Sequence, residues 1–195
     1  MKYTVLLDSS NTSLTVALAD EKNVIESISY EAWQSQSEYM IPELEKLLDK
    51  HCVSKDDIDA VMVTKGPGSY TGVRISITIA KVMAVALNIP VYELSSLQVL
   101  KHDDKKSLCV INARNGRSYA GVYEGAHVLM EDTILTNDEV KKMLLEHPEY
   151  ELCGECKYLG LDSYHADLSS QMLSLKQERF ICPNALALKP VYLKD

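Results

Sequence analysis

The sequence lacks the short motifs that most often mark a nucleotide, zinc or hydrolase site. It contains no Asp-Gly, no Gly-Gly, no Asp-x-Gly, no GxSxG and no P-loop pattern. Its five histidines form neither HxxxH nor HExxH. Such motifs supply backbone amides for phosphate, ligands for a metal, or an activated serine. Their absence argues against a P-loop ATPase, a zinc protease and a lipase-like hydrolase.

Positive charge is also in short supply. The chain has 20 Lys and Arg against 28 Asp and Glu, which gives a net charge of −8. Proteins that bind nucleic acid directly usually present a basic face. We therefore expect this chain not to hold RNA tightly by itself.

Long apolar runs and an export signal are missing as well. The longest apolar run, Ile75 to Leu87, contains Lys81 and falls short of the roughly 18 residues that span a bilayer. The apolar run near the N-terminus is short and ends at Asp8. Five cysteines, an odd number, fit reduced thiols better than a disulfide framework. We expect a cytoplasmic protein with no membrane segment.

Glycine is concentrated in one short loop. Of eight glycines, three fall within residues 66–72 of the stretch TKGPGSYTGVRI. The P-loop pattern fails because Val73 and Arg74 follow Gly72, and the third glycine comes one residue late for GxGxxG. A helix start after such a turn could bind an anion, but a purely structural turn is favoured. The candidate loop residues are Gly66, Pro67, Gly68, Ser69, Tyr70, Thr71, Gly72 and Arg74.

The first hairpin turn has the position of a phosphate-binding turn but not its glycine. Actin-like and sugar-kinase-like ATPases cradle phosphate in such a turn, which begins with Asp-x-Gly. Here Ser10 follows Asp8 by two residues, and its Cβ would crowd a close phosphate. We therefore predict a degenerate phosphate turn formed by Asp8, Ser9, Ser10, Asn11 and Thr12.

Hydrophobic periodicity predicts three antiparallel strands, then a helix and a buried strand. The strands are 3–8, 13–20 and 23–32, the helix is 35–52 with capping-box spacing between Ser35 and Glu38, and the buried strand is 59–66. The secondary structure after Gly72 is not decided by the sequence pattern, since its strict alternation favours a strand. A helix over 71–88 would instead align small residues in one stripe: Gly72, Ser76, Ala80 and Ala84.

A charge run at 101–106 divides the chain into an expected first lobe, 1–101, and a smaller second lobe, 102–195. Strands at 107–113 and 118–125 flank Asn115-Gly116, a strong hairpin signal. A further strand at 127–135 and a capped helix at 136–147 follow. Cys153 and Cys156 form a lone CxxC, for which redox or metal chemistry is a distant alternative.

The glycine stretch GPGSYTGVRI is very similar to the signature of the TsaB (YeaZ) family. Four further segments resemble the family in the expected order: LLDSSNTSLTVAL, DIDAVMVTKGPGSYTG, NARNGRSYAGVY and PVYL. The resemblance covers essentially the whole chain and is weakest over 125–185. Gln36, Asn112 and Arg117 depart from the residues common in the family at or near those places.

The resemblance implies an α/β, actin-like (ASKHA, ribonuclease H-like) fold with two lobes of mixed sheet flanked by helices, and a helix after the glycine loop. It also implies a non-catalytic scaffold subunit in the formation of N6-threonylcarbamoyladenosine in tRNA. The expected partners are a second copy, a TsaD-like transferase and a TsaE-like ATPase, with tRNA bound only through the complex. The metal-holding histidine pair of TsaD is missing here, so we expect no metal, no cofactor and no transferase activity. An active small ATPase or kinase is the alternative.

We expect the first-lobe helices to form the interface with these partners. The helix over 71–88 carries two charges, Arg74 and Lys81, and a helix apolar almost all round must be covered on both sides. A central core helix of a monomer is the competing explanation. The predicted interface residues are Gly72, Ser76, Ala80, Met83, Ala84, Leu87, Met40, Leu44 and Leu47.

Overall fold

A five-stranded mixed sheet forms the first half of the molecule. The structure, a computed structural model, describes residues 2–193. The strands are β1 (Tyr3–Asp8), β2 (Ser13–Ala19), β3 (Val24–Glu31), β4 (Ile58–Thr64) and β5 (Val91–Leu94). They lie in the order β3-β2-β1-β4-β5. The first three pair antiparallel, while β4 and β5 join parallel to β1.

Helices cover both faces of this sheet because its strands alternate their apolar side chains. Two helices, α1 (Gln36–Lys50) and α2 (Tyr70–Leu87), cover one face. Val5 and Leu7 of β1 face these helices, whereas Leu6 faces the opposite side, where Met172 packs on it. Strand side chains point alternately to the two faces, so one buried strand supplies both cores.

A second, four-stranded sheet lies beside the first. Its strands are β6 (Ser107–Arg114), β7 (Arg117–Glu124), β8 (His127–Thr136) and β9 (Glu151–Gly154), in the order β8-β7-β6-β9. Helix α3 (Asn137–Glu146) packs on it through Val140. Thr136 and Glu139 form the capping box at its start. The predicted α/β fold with two mixed sheets flanked by helices is confirmed.

The end of the chain returns to the first sheet. Helix α4 (Leu168–Ser174) supplies Met172 to the core that contains Leu6 and Met62. Leu188 is buried in the α1–α2 core, and Cys182 N donates to Val91 O of β5 at 2.8 Å. A division of the chain at residue 101 would therefore separate residues 168–193 from the core that they complete.

Most predicted elements lie where the periodicity placed them, and two details do not. Residues 73–79 are helical, so the strand that their alternation favoured is not formed. Ser35 precedes α1 but its side chain makes no capping hydrogen bond, so the predicted capping box is wrong. Ser54, before the short turn at 55–57, bonds to Asp57 in that manner instead.

Helix α2 is long and apolar enough to cross a bilayer by length and composition, contrary to the sequence-based expectation that no segment qualifies. A third of it is buried inside the molecule. One face lies on β4 and the first sheet's core, where Val73 and Ile77 are buried. A core helix of a soluble protein passes the same test, so the finding does not distinguish the two.

Candidate functional site: the closed phosphate turn and the outer face of helix α2

The glycine loop is bonded directly to the predicted phosphate turn. The loop follows β4 and the turn follows β1, and these strands are parallel neighbours, so both end at the same edge of the sheet. Ser69 N donates to Ser10 O at 2.7 Å. Ser9 Oγ donates to Gly72 O at 2.8 Å. The two segments that could have enclosed a phosphate are thus joined to each other.

Close backbone approach explains why this loop contains glycine. A Cβ on Gly68 would overlap the carbonyl oxygen of Ser10, and a Cβ on Gly72 would overlap that of Ser9. Gly66 has φ +101° and would bring a Cβ within 2.6 Å of Val191 O. Glycine tolerates both conditions because it has no Cβ. These contacts support the structural interpretation of the loop, while anion binding stays an untested prediction.

The turn itself is closed around a buried carboxylate. Asp8 is 4% exposed and Ser10 is 3% exposed. Thr64 Oγ1 and Ser10 N both donate to Asp8 Oδ1, the latter at 3.2 Å. Burial raises the pKa of Asp8, and the hydrogen bonds from Thr64 and Ser10 oppose that rise. Asp8 therefore bonds to its own lobe, while Asn11 and Thr12 lie half-buried at the rim.

Replacing Asp8 by Asn should remove the loss of folding stability that accompanies ionisation of the buried Asp8 carboxyl group. A folded-state pKa above the unfolded value means that stability is complete below about pH 4 and is lost as pH rises through the folded pKa. Asn keeps the acceptor oxygen for Thr64 and Ser10. We therefore expect the free energy of unfolding of Asp8→Asn, measured in urea, to increase relative to that of the wild type as pH rises from about 4 to about 7. If the wild type instead becomes more stable relative to the variant over this pH range, the pKa of Asp8 is not raised in the folded protein.

An open cleft of about 840 Å³ separates the turn from the second sheet. Asn11, Thr12 and the loop residues 68–71 line one side, and residues 111–114 of β6 line the other. The sole tryptophan, Trp33, is 59% exposed at the cleft edge. Sequence reasoning missed Trp33, although a lone Trp next to a predicted helix start was a usable signal.

The predicted interface residues lie mostly inside the chain itself. Seven of the nine are buried, and they are Met40, Leu44, Leu47, Gly72, Ser76, Ala80 and Ala84. Met83 and Leu87 are partly buried against the same core. The stripe of small residues therefore packs against the chain's own sheet and the turn after β1. At Gly72 this packing is so close that a Cβ would overlap the carbonyl oxygen of Ser9. We correct the prediction accordingly: this stripe is not open to a second helix.

A different face of α2 is open. Tyr70, Arg74, Thr78 and Val82 follow each other at four-residue spacing and are all exposed, with Val85 beside them. Val82 is 62% exposed and Val85 is 54% exposed. Between residues 66 and 92 the sequence has no Asp or Glu. We call these five residues the outer α2 face; it combines two valines and a tyrosine with one cation, Arg74, and carries no acid in an acidic protein.

The cysteine pair is buried in the second sheet. Cys153 lies opposite Cys109 in the pairing of β9 with β6, and Cys156 is 1% exposed. Burial raises the pKa of Cys156 to about 11. Within residues 2–193, no three His, Cys, Asp or Glu side chains come together as a metal site. The hydrogen bond with Cys109 lowers the pKa of Cys153, but redox cysteines also need to be accessible. Cys153 and Cys156 are both buried, and this burial argues against the thiol alternative.

Sheet order and site together define a class of protein. A five-stranded mixed sheet with a turn after β1, a second sheet across a cleft, and helices on both faces make up the predicted actin-like α/β fold. The turn after β1, predicted from the sequence to be a degenerate phosphate turn, is bonded to the glycine loop here, and a cavity of about 150 Å³ lies against its residues Asp8 and Ser10.

Comparison with known proteins identifies the family. The family model TsaD, tRNA N6-adenosine threonylcarbamoyltransferase, matches residues 28–165. The chain is 38% identical over 133 residues to the tRNA threonylcarbamoyladenosine biosynthesis protein TsaB of Bacillus subtilis, covering 66% of this chain and 58% of that protein. It is 28% identical over 195 residues to TsaB of Buchnera aphidicola from Schizaphis graminum, covering 97% and 92%. The chain therefore belongs to the TsaD family as this model defines it, and within it to the TsaB (YeaZ) proteins.

A solved structure agrees with the fold. YeaZ from Pseudomonas aeruginosa superimposes with a TM-score of 0.80 at 24% identity, over 99% of this chain and 100% of that one. At this identity the likeness establishes the fold alone. The resemblance noted from the glycine stretch is confirmed.

Proposed function

We propose that this chain is a non-catalytic subunit of the assembly that forms N6-threonylcarbamoyladenosine in tRNA, and that it supports a TsaD-type transferase by binding it. The pathway comes from its relatives in Bacillus subtilis and Buchnera aphidicola, which are tRNA threonylcarbamoyladenosine biosynthesis proteins. The observation that carries the non-catalytic part is the closed phosphate turn, in which Ser10 fills the glycine position and Ser69 bonds across it. A phosphate would have to displace these contacts.

The outer α2 face supports the docking part of the proposal. Tyr70, Val82 and Val85 of α2 are each more than half exposed, and apolar side chains grouped on an exposed face usually mark interaction sites. We assign this face to the TsaD-type partner, and to a second copy when the chain is alone. A TsaE-like ATPase joins the complex, and tRNA is held through the partner because this chain has a net charge of −8.

In this proposal the outer α2 face is covered by a partner protein and not by lipid, and the chain works in the cytoplasm. Val82 and Val85 then pack against a partner helix, while Lys81 stays at the edge, half-buried. The transferase chemistry belongs to the TsaD-type partner. The alternative function, an active small ATPase or kinase, would use the cleft beside the closed turn.

Depletion of this protein should lower threonylcarbamoyladenosine in tRNA to near the detection limit, because the proposed transferase would lose its supporting subunit. Mass spectrometry of nucleosides from total tRNA measures this. Other modified nucleosides in the same digests provide the internal control. Unchanged threonylcarbamoyladenosine in depleted cells would overturn the proposed function.

A further inference from the structure

An exposed aromatic and cationic cluster lies where α2 begins. The rings of Tyr70 and Tyr192 stack with their centroids 5.0 Å apart. The guanidinium carbon of Arg74 lies 3.9 Å from the centre of the Tyr70 ring. Arg74 Nε donates to the hydroxyl oxygen of Tyr192 at 2.7 Å. Three side chains thus hold one another at the surface, at one end of the outer α2 face.

The tail that carries Tyr192 is itself fixed. Leu188 is 1% exposed in the α1–α2 core, and Val191 N donates to Lys65 O at 2.7 Å. Tyr192 is therefore anchored from behind, and it holds the guanidinium in one orientation. A side chain that is already ordered loses less conformational entropy when it binds a partner.

The charge of Arg74 is not balanced by a carboxylate within residues 2–193, where its polar partner is Tyr192. The hydrogen bond uses Nε, which leaves the two terminal nitrogens for another ligand. Guanidinium binds carboxylate or phosphate through two parallel hydrogen bonds. A phosphate of RNA is the less suitable ligand, because no other basic residue stands between residues 66 and 80 and the chain is acidic.

We propose that Arg74, held by Tyr70 and Tyr192, forms a two-point ion pair with a carboxylate of the TsaD-type partner and so fixes the partner's position along the outer α2 face. This inference rests on the proposed function. Arginine and tyrosine are the residue types over-represented among those that dominate interface affinity. The adjoining contact surface is formed by Thr78, Val82 and Val85. These contacts alone would not fix the partner's position along the helix.

The test is calorimetry of the full-length chain with the TsaD-type protein of the same organism, at about 0.05 and about 0.5 M salt. Arg74→Gln should weaken binding about tenfold or more and remove most of the salt dependence. Tyr192→Phe keeps the ring stack but loses the acceptor, and should weaken binding by a smaller factor. Lys141→Gln, at an exposed cation on α3 away from the outer α2 face, is the control and should bind like the wild type. Arg74 is exposed, so thermal melts should show all variants folded.

The outcomes separate this inference from the proposed function. If Arg74→Gln binds like the wild type while Val82→Asp does not bind, the docking face stands and the ion pair is wrong. If neither change affects binding, the docking face is wrong as well. If Arg74→Gln leaves partner affinity intact but weakens retention of tRNA by the complex, the ligand is a phosphate and the inference fails. Loss of affinity and of salt dependence with Arg74→Gln, but not with Lys141→Gln, supports it.

Discussion

Gly72→Ala should destabilise the protein by about 3 kcal/mol or more, since overpacking a closed site forces the backbone to shift. The added methyl group would overlap the carbonyl oxygen of Ser9, which belongs to backbone and cannot rotate away. Separation of the loop from the turn would also break the hydrogen bond from Ser9 Oγ to Gly72 O. Total stabilities of about 5–15 kcal/mol are usual, so this change should remove a large fraction of the free energy of unfolding.

Gly116→Ala is the matched control for this change. Gly116 has φ +73° and open space around the position of a Cβ, so alanine there should cost only about 1 kcal/mol from backbone strain. Urea unfolding of both variants measures the difference. If Gly72→Ala unfolds at the same urea concentration as the wild type, the loop does not need glycine for close packing, and its glycines require another explanation.

Val82→Asp should lower affinity for the TsaD-type partner by about 100-fold, equivalent to about 2.7 kcal/mol. A carboxylate buried without a partner in an apolar interface is costly, and Val82 is 62% exposed in the free chain. The free variant should therefore fold normally. The same change should convert a homodimer to a monomer if both associations use the outer α2 face.

Leu145→Asp provides the control for Val82→Asp. Leu145 is 83% exposed on α3 of the second sheet, so the change adds the same charge away from α2. Calorimetry gives the affinities, and light scattering gives the molar mass. Equal loss of binding for both variants would indicate a nonspecific charge effect, and full binding by Val82→Asp would show that the partner sits elsewhere.

The strands of the first sheet could largely be predicted, because β1 to β4 have clear alternation or short apolar runs bounded by turn residues. The secondary structure of residues 73–79 could not be predicted from the periodicity of their apolar side chains. Nearly every residue there is apolar or small, so both a two-residue and a 3.6-residue repeat fit. The family resemblance resolved the helix, and the structure confirms it.

The site was predicted in part. The glycine cluster indicated a turn, and the close backbone contacts at Gly68 and Gly72 agree with the need for glycine there. The altered phosphate turn inferred from Ser10 stays a prediction. The direction of the small stripe was wrong, because a sequence does not tell whether Gly72 and Ala80 approach another chain or their own. Here the neighbour is Ser9, more than sixty residues earlier in the chain. The Tyr192 contact with Arg74 joins residues 118 positions apart and had no local signal.

The packing of residues 168–193 on the first sheet was missed for a similar reason. Their elements are short, with α4 spanning Leu168–Ser174 and single turns after it. Short elements carry too few residues to show a period. Met172 and Leu188 are nevertheless fully buried, so long-range packing, rather than local propensity, fixes this part of the chain.

We propose that this chain acts by docking and not by phosphate chemistry. The test is reconstitution of threonylcarbamoyladenosine formation on tRNA, with the TsaD-type transferase and the TsaE-type ATPase, in which two variants are compared. Asp8→Asn should support modification at the wild-type rate, because Asp8 is buried and bonded within its own lobe, whereas Val82→Asp should support none. Loss of modification with Asp8→Asn in a complex that still assembles would instead assign chemistry to the turn.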